Sequence, residues 1–173
     1  PYRVEDAETV VVALGSVLGT VEEVVDGLRA EGVRAGVLGI GCFRPWPVDE
    51  VRDALRGAKR VVVVEKAFAV GAGGIVGQNV RMALSGLPCE VYDVVAGLGG
   101  RPITRVSLRR LLDEVMDARI DPHRLHFLDL DTALVERELT RSRSTGRPGP
   151  HAQNVLRDLG VVAAGSHGGG LEQ

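Results

Sequence analysis

The sequence predicts an α/β fold of three layers, a mostly parallel open sheet with helices on both faces. The segment Arg60–Gly74 contains the valine run Val61–Val64, which suits a strand that is covered above and below by helices. Hydrophobic residues make up 45% of the chain but aromatic residues only 3%, so the core must consist of Val, Leu, Ala and Ile. Buried strands that alternate with amphipathic helices are typical of a doubly wound sheet.

Each strand is recognised as a short apolar run that ends at a turn, and each helix by apolar residues three or four positions apart. The predicted strands are Thr9–Leu14, Val33–Ile40, the valine run Val61–Val64 that Glu65 and Lys66 end, and Glu90–Val95. The predicted helices are Val17–Glu31, Asp49–Gly57, a segment that begins at Ile75, and Ser107–Ala118. The resulting βαβαβαβα order needs crossover connections, which make successive strands parallel.

The last third of the chain interrupts this alternation. Leu125–Leu130 fits either a short strand or an extended arm, and Thr132–Leu139 fits one more helix. Arg141–Pro150 is poor in apolar residues and rich in turn formers, which predicts a linker. We therefore expect an α/β domain over residues 1–130 and a helical or irregular C-terminal arm over residues 131–173, with the linker at about 141–150.

Composition argues against several classes of protein. The net charge is −2, with 21 basic and 23 acidic residues, so no basic field for nucleic acid is expected. No window approaches the run of about twenty apolar residues that a membrane span needs. Two cysteines are too few for a disulfide framework, an iron–sulfur cluster or a structural zinc site, and a reducing cytoplasmic location is expected. The chain starts at Pro1 and not at methionine, for which processing and a longer parent protein are the two expected explanations.

Glycine-rich turns follow three of the predicted strands, at the edge of a parallel sheet where ligands commonly bind. None has the dinucleotide fingerprint after the first strand, and none is a phosphate-binding loop with Gly-Lys-Ser/Thr. Tight turns and close packing of helix on sheet are therefore the favoured role, with anion binding as the alternative. The turns lie at residues 15–20, 71–74 and 97–100.

Few side chains suggest chemistry. Glu65 and Asp93 are candidate acids or bases, but ion pairs with Arg44 and Arg101 are the favoured interpretation. Ser16 is expected to cap the first helix. Two cysteines are expected to be small buried apolar residues, and four histidines without metal-binding spacing are expected to be solvated. These are Cys42, Cys89, His123, His126, His151 and His167. No complete active site emerges, so the domain is expected to work within something larger.

A set of short motifs extends from residue 6 to about residue 118. The motifs are Ala13-Leu14-Gly15-Ser16 with Gly19-Thr20, Gly32-Val33, Phe43-Arg44-Pro45, Glu65-Lys66 with Gly71-Ala72-Gly73-Gly74, and Ala96-Gly97-Leu98-Gly99-Gly100-Arg101 with Thr104. In combination they resemble the C-terminal domain of the α subunit of pyruvate:ferredoxin oxidoreductase (pyruvate synthase). The sequence departs from that family at residues 66–69, where a basic-Ser-x-Ser-Phe pattern is usual, and at Pro102, where Asp is common.

The resemblance implies a fold like the transketolase C-terminal domain. It also implies a part in an enzyme that oxidatively decarboxylates pyruvate on thiamine diphosphate, reduces ferredoxin through iron–sulfur clusters and forms acetyl-CoA. Thiamine diphosphate, Mg²⁺, the clusters and CoA would then lie on other domains or subunits, and this chain would have no catalytic, cofactor-binding or metal-binding residue of its own.

Its partners would be other subunits or domains of the same oligomeric oxidoreductase, and ferredoxin only indirectly. In this interpretation the chain is a non-catalytic assembly domain. The candidate interface residues are Phe43, Arg44, Pro45, Glu65, Gly71, Gly73, Gly74, Gly99, Gly100 and Arg101.

Two alternatives stay open at this point. The chain resembles, in fold, the corresponding domain of a 2-oxoacid dehydrogenase E1 β chain or of transketolase. It also fits a free-standing anion- or nucleotide-binding module that uses the glycine turns. The sequence does not identify the 2-oxoacid.

Overall fold

A computed structural model of the chain describes residues 1–69 and 72–145. Five strands form one sheet, and every paired neighbour is parallel. The strands are β1 (Thr9–Ala13), β2 (Ala35–Gly39), β3 (Arg60–Glu65), β4 (Glu90–Val95) and β5 (Leu125–Phe127). The helices are α1 (Val17–Ala30), α2 (Val48–Leu55), α3 (Ile75–Ala83), α4 (Arg105–Met116) and α5 (Thr132–Thr145), with a 3-10 turn at Leu98–Gly100. The predicted α/β class is confirmed. The predicted elements are present, with several bounds a few residues from those expected, and Leu125–Phe127 is a short strand.

The strands lie in the order β2-β1-β3-β4-β5. The chain therefore leaves β1 toward one side to form β2 and returns to the other side of β1 to form β3. In an open α/β sheet such a reversal leaves a crevice outside the carboxyl ends of the two central strands, where ligands commonly bind.

The valine run separates two cores. Val62 and Val64 pack in the cluster that contains α1 and α4, and Val61 and Val63 pack in the cluster that contains α2 and α3. This follows from the two-residue period of a strand, which sends successive side chains to opposite faces. A fully buried valine contributes about 1.5 to 3 kcal/mol, so β3 anchors both helix layers and lies at the centre of the fold.

Ion pairs tie helices together on one face of the sheet. Arg109 of α4 donates to both carboxylate oxygens of Glu31, just after α1, at 2.6 and 2.7 Å. Hydrogen bonding to this guanidinium lowers the pKa of Glu31. Because the pair is largely exposed, we expect it to orient α1 against α4 more than to stabilise the fold.

The chain divides into two compact units, Pro1–Asp129 and a second unit that begins at Leu130. In the second unit, the Asp131 carboxylate accepts the Leu134 N–H near the start of α5. The helix continues through residues 141–145, which the sequence placed in the linker. The rest of that linker, residues 146–150, lies outside the described residues. No helix in residues 1–69 or 72–145 is long and apolar enough to cross a membrane.

Candidate functional site

The side of the sheet on which β1 to β4 end is called the carboxyl edge here. It consists of the residues that follow those strands, and the parallel arrangement brings them together. Every candidate interface residue that the structure describes belongs to this edge or to its loops. Gly71 lies outside the described residues.

Glu65 ends β3 at the carboxyl edge and is only 6% exposed. Its Oε2 accepts the backbone N–H groups of Ile75 and Val76 at 2.9 and 3.0 Å, and its Oε1 accepts that of Gly77 at 2.9 Å. These are unsatisfied donors of the first turn of α3, which also carries the positive end of the helix dipole. The carboxylate thus occupies the anion site of its own helix. The expected pairing of Glu65 with Arg44 or Arg101 is wrong.

The glycine turn before α3 is needed for this arrangement. Gly73 has a φ of 83° and exchanges backbone hydrogen bonds with Ala69, which closes the turn. A Cβ atom on Gly74 would lie 2.1 Å from Oε1 of Glu65. Only glycine therefore lets the chain pass so close to the carboxylate, which agrees with the favoured structural role of this turn.

Asp93 of β4 has a different partner from the one expected. Its Oδ2 accepts Nε of Arg81 on α3 at 2.8 Å, and Arg81 also donates to the carbonyl oxygens of Val91 and Pro122. The other oxygen, Oδ1, is buried and has no hydrogen-bond partner among the described residues. Asp93 thus fixes α3 against β4, and the expected pairing with Arg44 or Arg101 is wrong here as well.

The loop after β2 presents an arginine on an aromatic support. The guanidinium of Arg44 lies 4.0 Å from the ring centroid of Phe43 and donates to the Phe43 carbonyl oxygen at 2.8 Å. The Phe43 ring in turn contacts Trp46 edge-on at 5.9 Å. Pro45 follows Arg44 within this loop. Stacking holds the charged group in place while it stays exposed, as is common for an arginine that meets an acidic partner.

The loop after β4 contains Gly99 and Gly100, with φ values of 65° and 79° in the left-handed region that favours glycine. Arg101 follows and is exposed, and its Nη1 donates to the backbone oxygen of Asp129 at 2.9 Å. The Asp129 carboxylate accepts Arg110 instead, at 2.5 Å. Hydrogen bonds from Ser107 and Arg110 lower the pKa of Asp129, and the charge of Arg101 also contributes to lowering it.

A cavity of about 520 Å³ opens at the carboxyl edge between the ends of β1, β3 and β4. It is at the crevice that the strand order creates. Its polar lining includes Ser16, Thr20, Lys66 and Arg101, and its apolar lining includes Leu14, Val17 and Ile103. Ser16 occupies the first position before α1, but its side chain forms no cap hydrogen bond, so the predicted capping role is wrong.

Exposed apolar side chains also cluster at this edge. Leu14 follows β1, Phe68 follows β3, and Leu98 follows β4, with exposures of 42%, 41% and 41%. Ile75, the first residue of α3, is similarly exposed. A group of half-exposed apolar side chains at one edge is typical of a surface that contacts another protein.

The cysteines differ from the expectation that both are buried. Cys42 is exposed in the loop after β2, and Cys89 is partly buried before β4. Burial raises the pKa of the Cys89 thiol, so less of it is thiolate at a given pH.

We expect iodoacetamide to alkylate Cys42 before Cys89 in the native chain, because the thiolate is the reactive form and Cys42 is accessible. The difference in alkylation rate between Cys42 and Cys89 should become smaller as the pH rises toward the raised pKa of the Cys89 thiol. Peptide mapping by mass spectrometry measures both rates, and alkylation in denaturant serves as the control. Equal rates in the native chain would contradict the described positions.

Within residues 1–69 and 72–145, no group of three or more His, Cys, Asp or Glu side chains is arranged to hold a metal ion. Sequence reasoning missed two structural contacts, the acceptance of α3 N–H groups by Glu65 and the pairing of Asp93 with Arg81. A signal for the first was present, since the glycine at position 74 leaves room for the Glu65 carboxylate. Arg81 gave no signal, because its reach across to β4 depends on how α3 packs.

One protein family model matches most of the α/β unit. The family model for pyruvate:ferredoxin oxidoreductase core domain II matches residues 7–108. The chain is 38% identical over 132 residues to pyruvate synthase subunit PorA of Thermotoga maritima, which covers 75% of this chain and 34% of that protein. It is 39% identical over 111 residues to the same subunit of Methanothermobacter thermautotrophicus, covering 64% of this chain and 28% of that protein.

Among solved structures, the chain is similar to a split gene transketolase, an inactive β4 tetramer. The TM-score is 0.51 at 20% identity, with 68% of this chain and 42% of that chain covered. At this identity the likeness concerns the fold. The chain spans about a third of the length of the PorA relatives that it matches.

Proposed function

Because the chain belongs to the family of pyruvate:ferredoxin oxidoreductase core domain II, we propose that it is a non-catalytic assembly domain of a thiamine-diphosphate-dependent 2-oxoacid:ferredoxin oxidoreductase. The complete enzyme converts pyruvate, CoA and oxidised ferredoxin into acetyl-CoA, CO₂ and reduced ferredoxin. The role of this domain is to pack against other domains or subunits of an oligomer and so to fix their geometry, and ferredoxin is a partner only indirectly.

The observation that best supports this role is the contrast between the acidic and the apolar side chains near the carboxyl edge. The carboxylate of Glu65 at this edge accepts three backbone N–H groups of α3, and Asp93, further back in β4, is paired with Arg81. The apolar side chains at the same edge are instead left half-exposed. Carboxylates that are already hydrogen-bonded within the domain are poorly suited to proton transfer with a substrate. Exposed apolar side chains are suited to contact with another protein.

The donor set supports placing the cofactors elsewhere. The chain contains two cysteines, and Cys42 and Cys89 belong to separate loops, whereas iron–sulfur clusters are commonly held by four thiolates. We assign thiamine diphosphate with its Mg²⁺, the clusters and CoA to other domains or subunits. Family membership also favours this enzyme class over a 2-oxoacid dehydrogenase E1 β chain or transketolase, with which the fold is shared.

We expect Leu14→Asp and Leu98→Asp, made in the full-length subunit, to weaken its association with the remaining subunits about thirtyfold each. A charge placed in a desolvated contact costs about 2 kcal/mol or more. Sedimentation velocity over a range of subunit concentrations measures the assembled fraction.

The matched control is Met82→Asp. Met82 is 56% exposed and lies in the last turn of α3, at the opposite end of the helix from the carboxyl edge. This variant should assemble like the parent. If Leu14→Asp and Leu98→Asp also assembled normally, the carboxyl edge would not be the contact surface.

A further inference from the structure

We propose that the cavity between the ends of β1, β3 and β4 binds a small organic phosphate other than thiamine diphosphate and CoA, meaning a molecule with a phosphate or diphosphate group and an apolar body. This inference does not rest on the assembly role, since a ligand can occupy the cavity whether or not the surrounding edge contacts another subunit. The cavity volume of about 520 Å³ lies within the range of roughly 300 to 1,000 Å³ that is usual for ligand pockets.

The charge of the lining selects an anion. Lys66 and Arg101 enter the cavity wall from the loops after β3 and β4. Within residues 1–69 and 72–145, Lys66 has no hydrogen bond or ion pair, and Arg101 uses one N–H group on the Asp129 carbonyl oxygen. The carboxylate in the lining, Glu65, is held by three N–H groups of α3, which offset its charge. The ammonium of Lys66 and the remaining N–H groups of Arg101, whose charge also interacts with Asp129, suit the double charge of a phosphate.

The remaining walls supply what a phosphate ester needs besides its charge. Ser16 and Thr20 also line the cavity, and the hydroxyl of Ser16 is not used to cap α1. Val17, Ile103 and Leu14 add apolar surface to the lining. An apolar wall with a few convergent polar side chains is the usual composition of a site for a small organic molecule.

A second arginine-rich surface of the α/β unit offers no comparable unpaired positive charge. An open groove between α1 and α4 is lined by four arginines, each paired with a carboxylate. The pairs are Arg105 with Glu23, Arg109 with Glu31, Arg110 with Asp129 and Arg119 with Asp117. Positive charge there is neutralised within the protein, so the cavity at the carboxyl edge is the better anion site.

Isothermal titration calorimetry of the 173-residue chain tests this site with two probes, inorganic diphosphate and ADP. We expect saturable binding of both, with ADP about tenfold tighter because its adenosine covers the apolar wall. Lys66→Gln and Arg101→Gln should each weaken binding about tenfold, as the loss of one charge-assisted hydrogen bond predicts. Thr20→Phe, which keeps both charges but fills the cavity, should abolish ADP binding.

Lys59→Gln is the matched control, because Lys59 lies just before β3 at the other edge of the sheet and pairs with Glu8. It should bind both probes like the parent chain. Thermal unfolding of every variant shows whether it is folded. The proposal is overturned if neither probe binds the parent chain, or if folded Lys66→Gln, Arg101→Gln and Thr20→Phe variants bind as well as the parent does. The same substitutions in the full-length subunit should leave subunit assembly normal. A failure of phosphate binding can then be told apart from a failure of the proposed assembly role.

Discussion

Glu65→Gln is expected to lower the free energy of unfolding by about 3 kcal/mol, the largest effect of any single charge removal in the α/β unit. The carboxylate accepts three backbone N–H groups, two of which are buried. A carboxamide has one acceptor oxygen, and its NH₂ group would face a backbone N–H that also donates. An unsatisfied buried donor costs about 1 to 3 kcal/mol, and the charge-assisted bonds are lost in addition.

Urea unfolding followed by circular dichroism measures this change. Glu5→Gln is the control, because Glu5 is exposed and the substitution removes the same charge from the surface. This variant should change the free energy of unfolding by less than about 0.5 kcal/mol. An unchanged urea midpoint for Glu65→Gln would show that the carboxylate does not hold the start of α3.

Gly77→Ala is expected to destabilise the protein by about 2 to 4 kcal/mol, although alanine is the better helix former. A Cβ atom at this position would lie 2.1 Å from Oδ1 of Asp93. Asp93 would have to turn away, which breaks its bond to Arg81 and moves a buried carboxylate oxygen. The close approach of α3 to β4 therefore depends on the missing side chain.

The matched control is Gly27→Ala in α1, where an added Cβ atom meets nothing within 4 Å. This variant should be more stable than the parent by about 0.5 to 1 kcal/mol, so the two identical substitutions should have opposite signs. Adding Asp93→Ala to Gly77→Ala should cost less than the sum of the single changes, because the clash is gone. Additive losses, or a stabilising Gly77→Ala, would rule out this contact.

Much of the fold could be predicted from local pattern. The valine run Val61–Val64 identifies a strand covered on both faces, because only such a strand tolerates apolar residues at successive positions. Its split between the two cores follows from strand periodicity alone. The strand order could not be read in this way, since it depends on which neighbour each buried strand meets in space.

The side-chain partners were beyond the reach of sequence for a related reason. Glu65 and Asp93 were identified as notable carboxylates, but opposite charge suggested Arg44 and Arg101 as their partners. The actual partners lie on α3, which packs across the ends of β3 and the middle of β4. Free backbone N–H groups at the start of a helix compete well with arginine for a carboxylate. The residue types alone do not show whether the helix start or the arginine lies within reach of that carboxylate.

The role of this domain in assembly is tested most directly by the turnover of each assembled complex. Full-length subunits carrying Leu98→Asp or Arg44→Gln are mixed with the remaining subunits, and 2-oxoacid-dependent ferredoxin reduction is divided by the assembled fraction from sedimentation velocity. The account predicts that activity falls only as assembly falls, so that turnover per assembled complex stays at the parent value. A variant that assembles fully and yet loses turnover, or activity of the 173-residue chain alone, would contradict it.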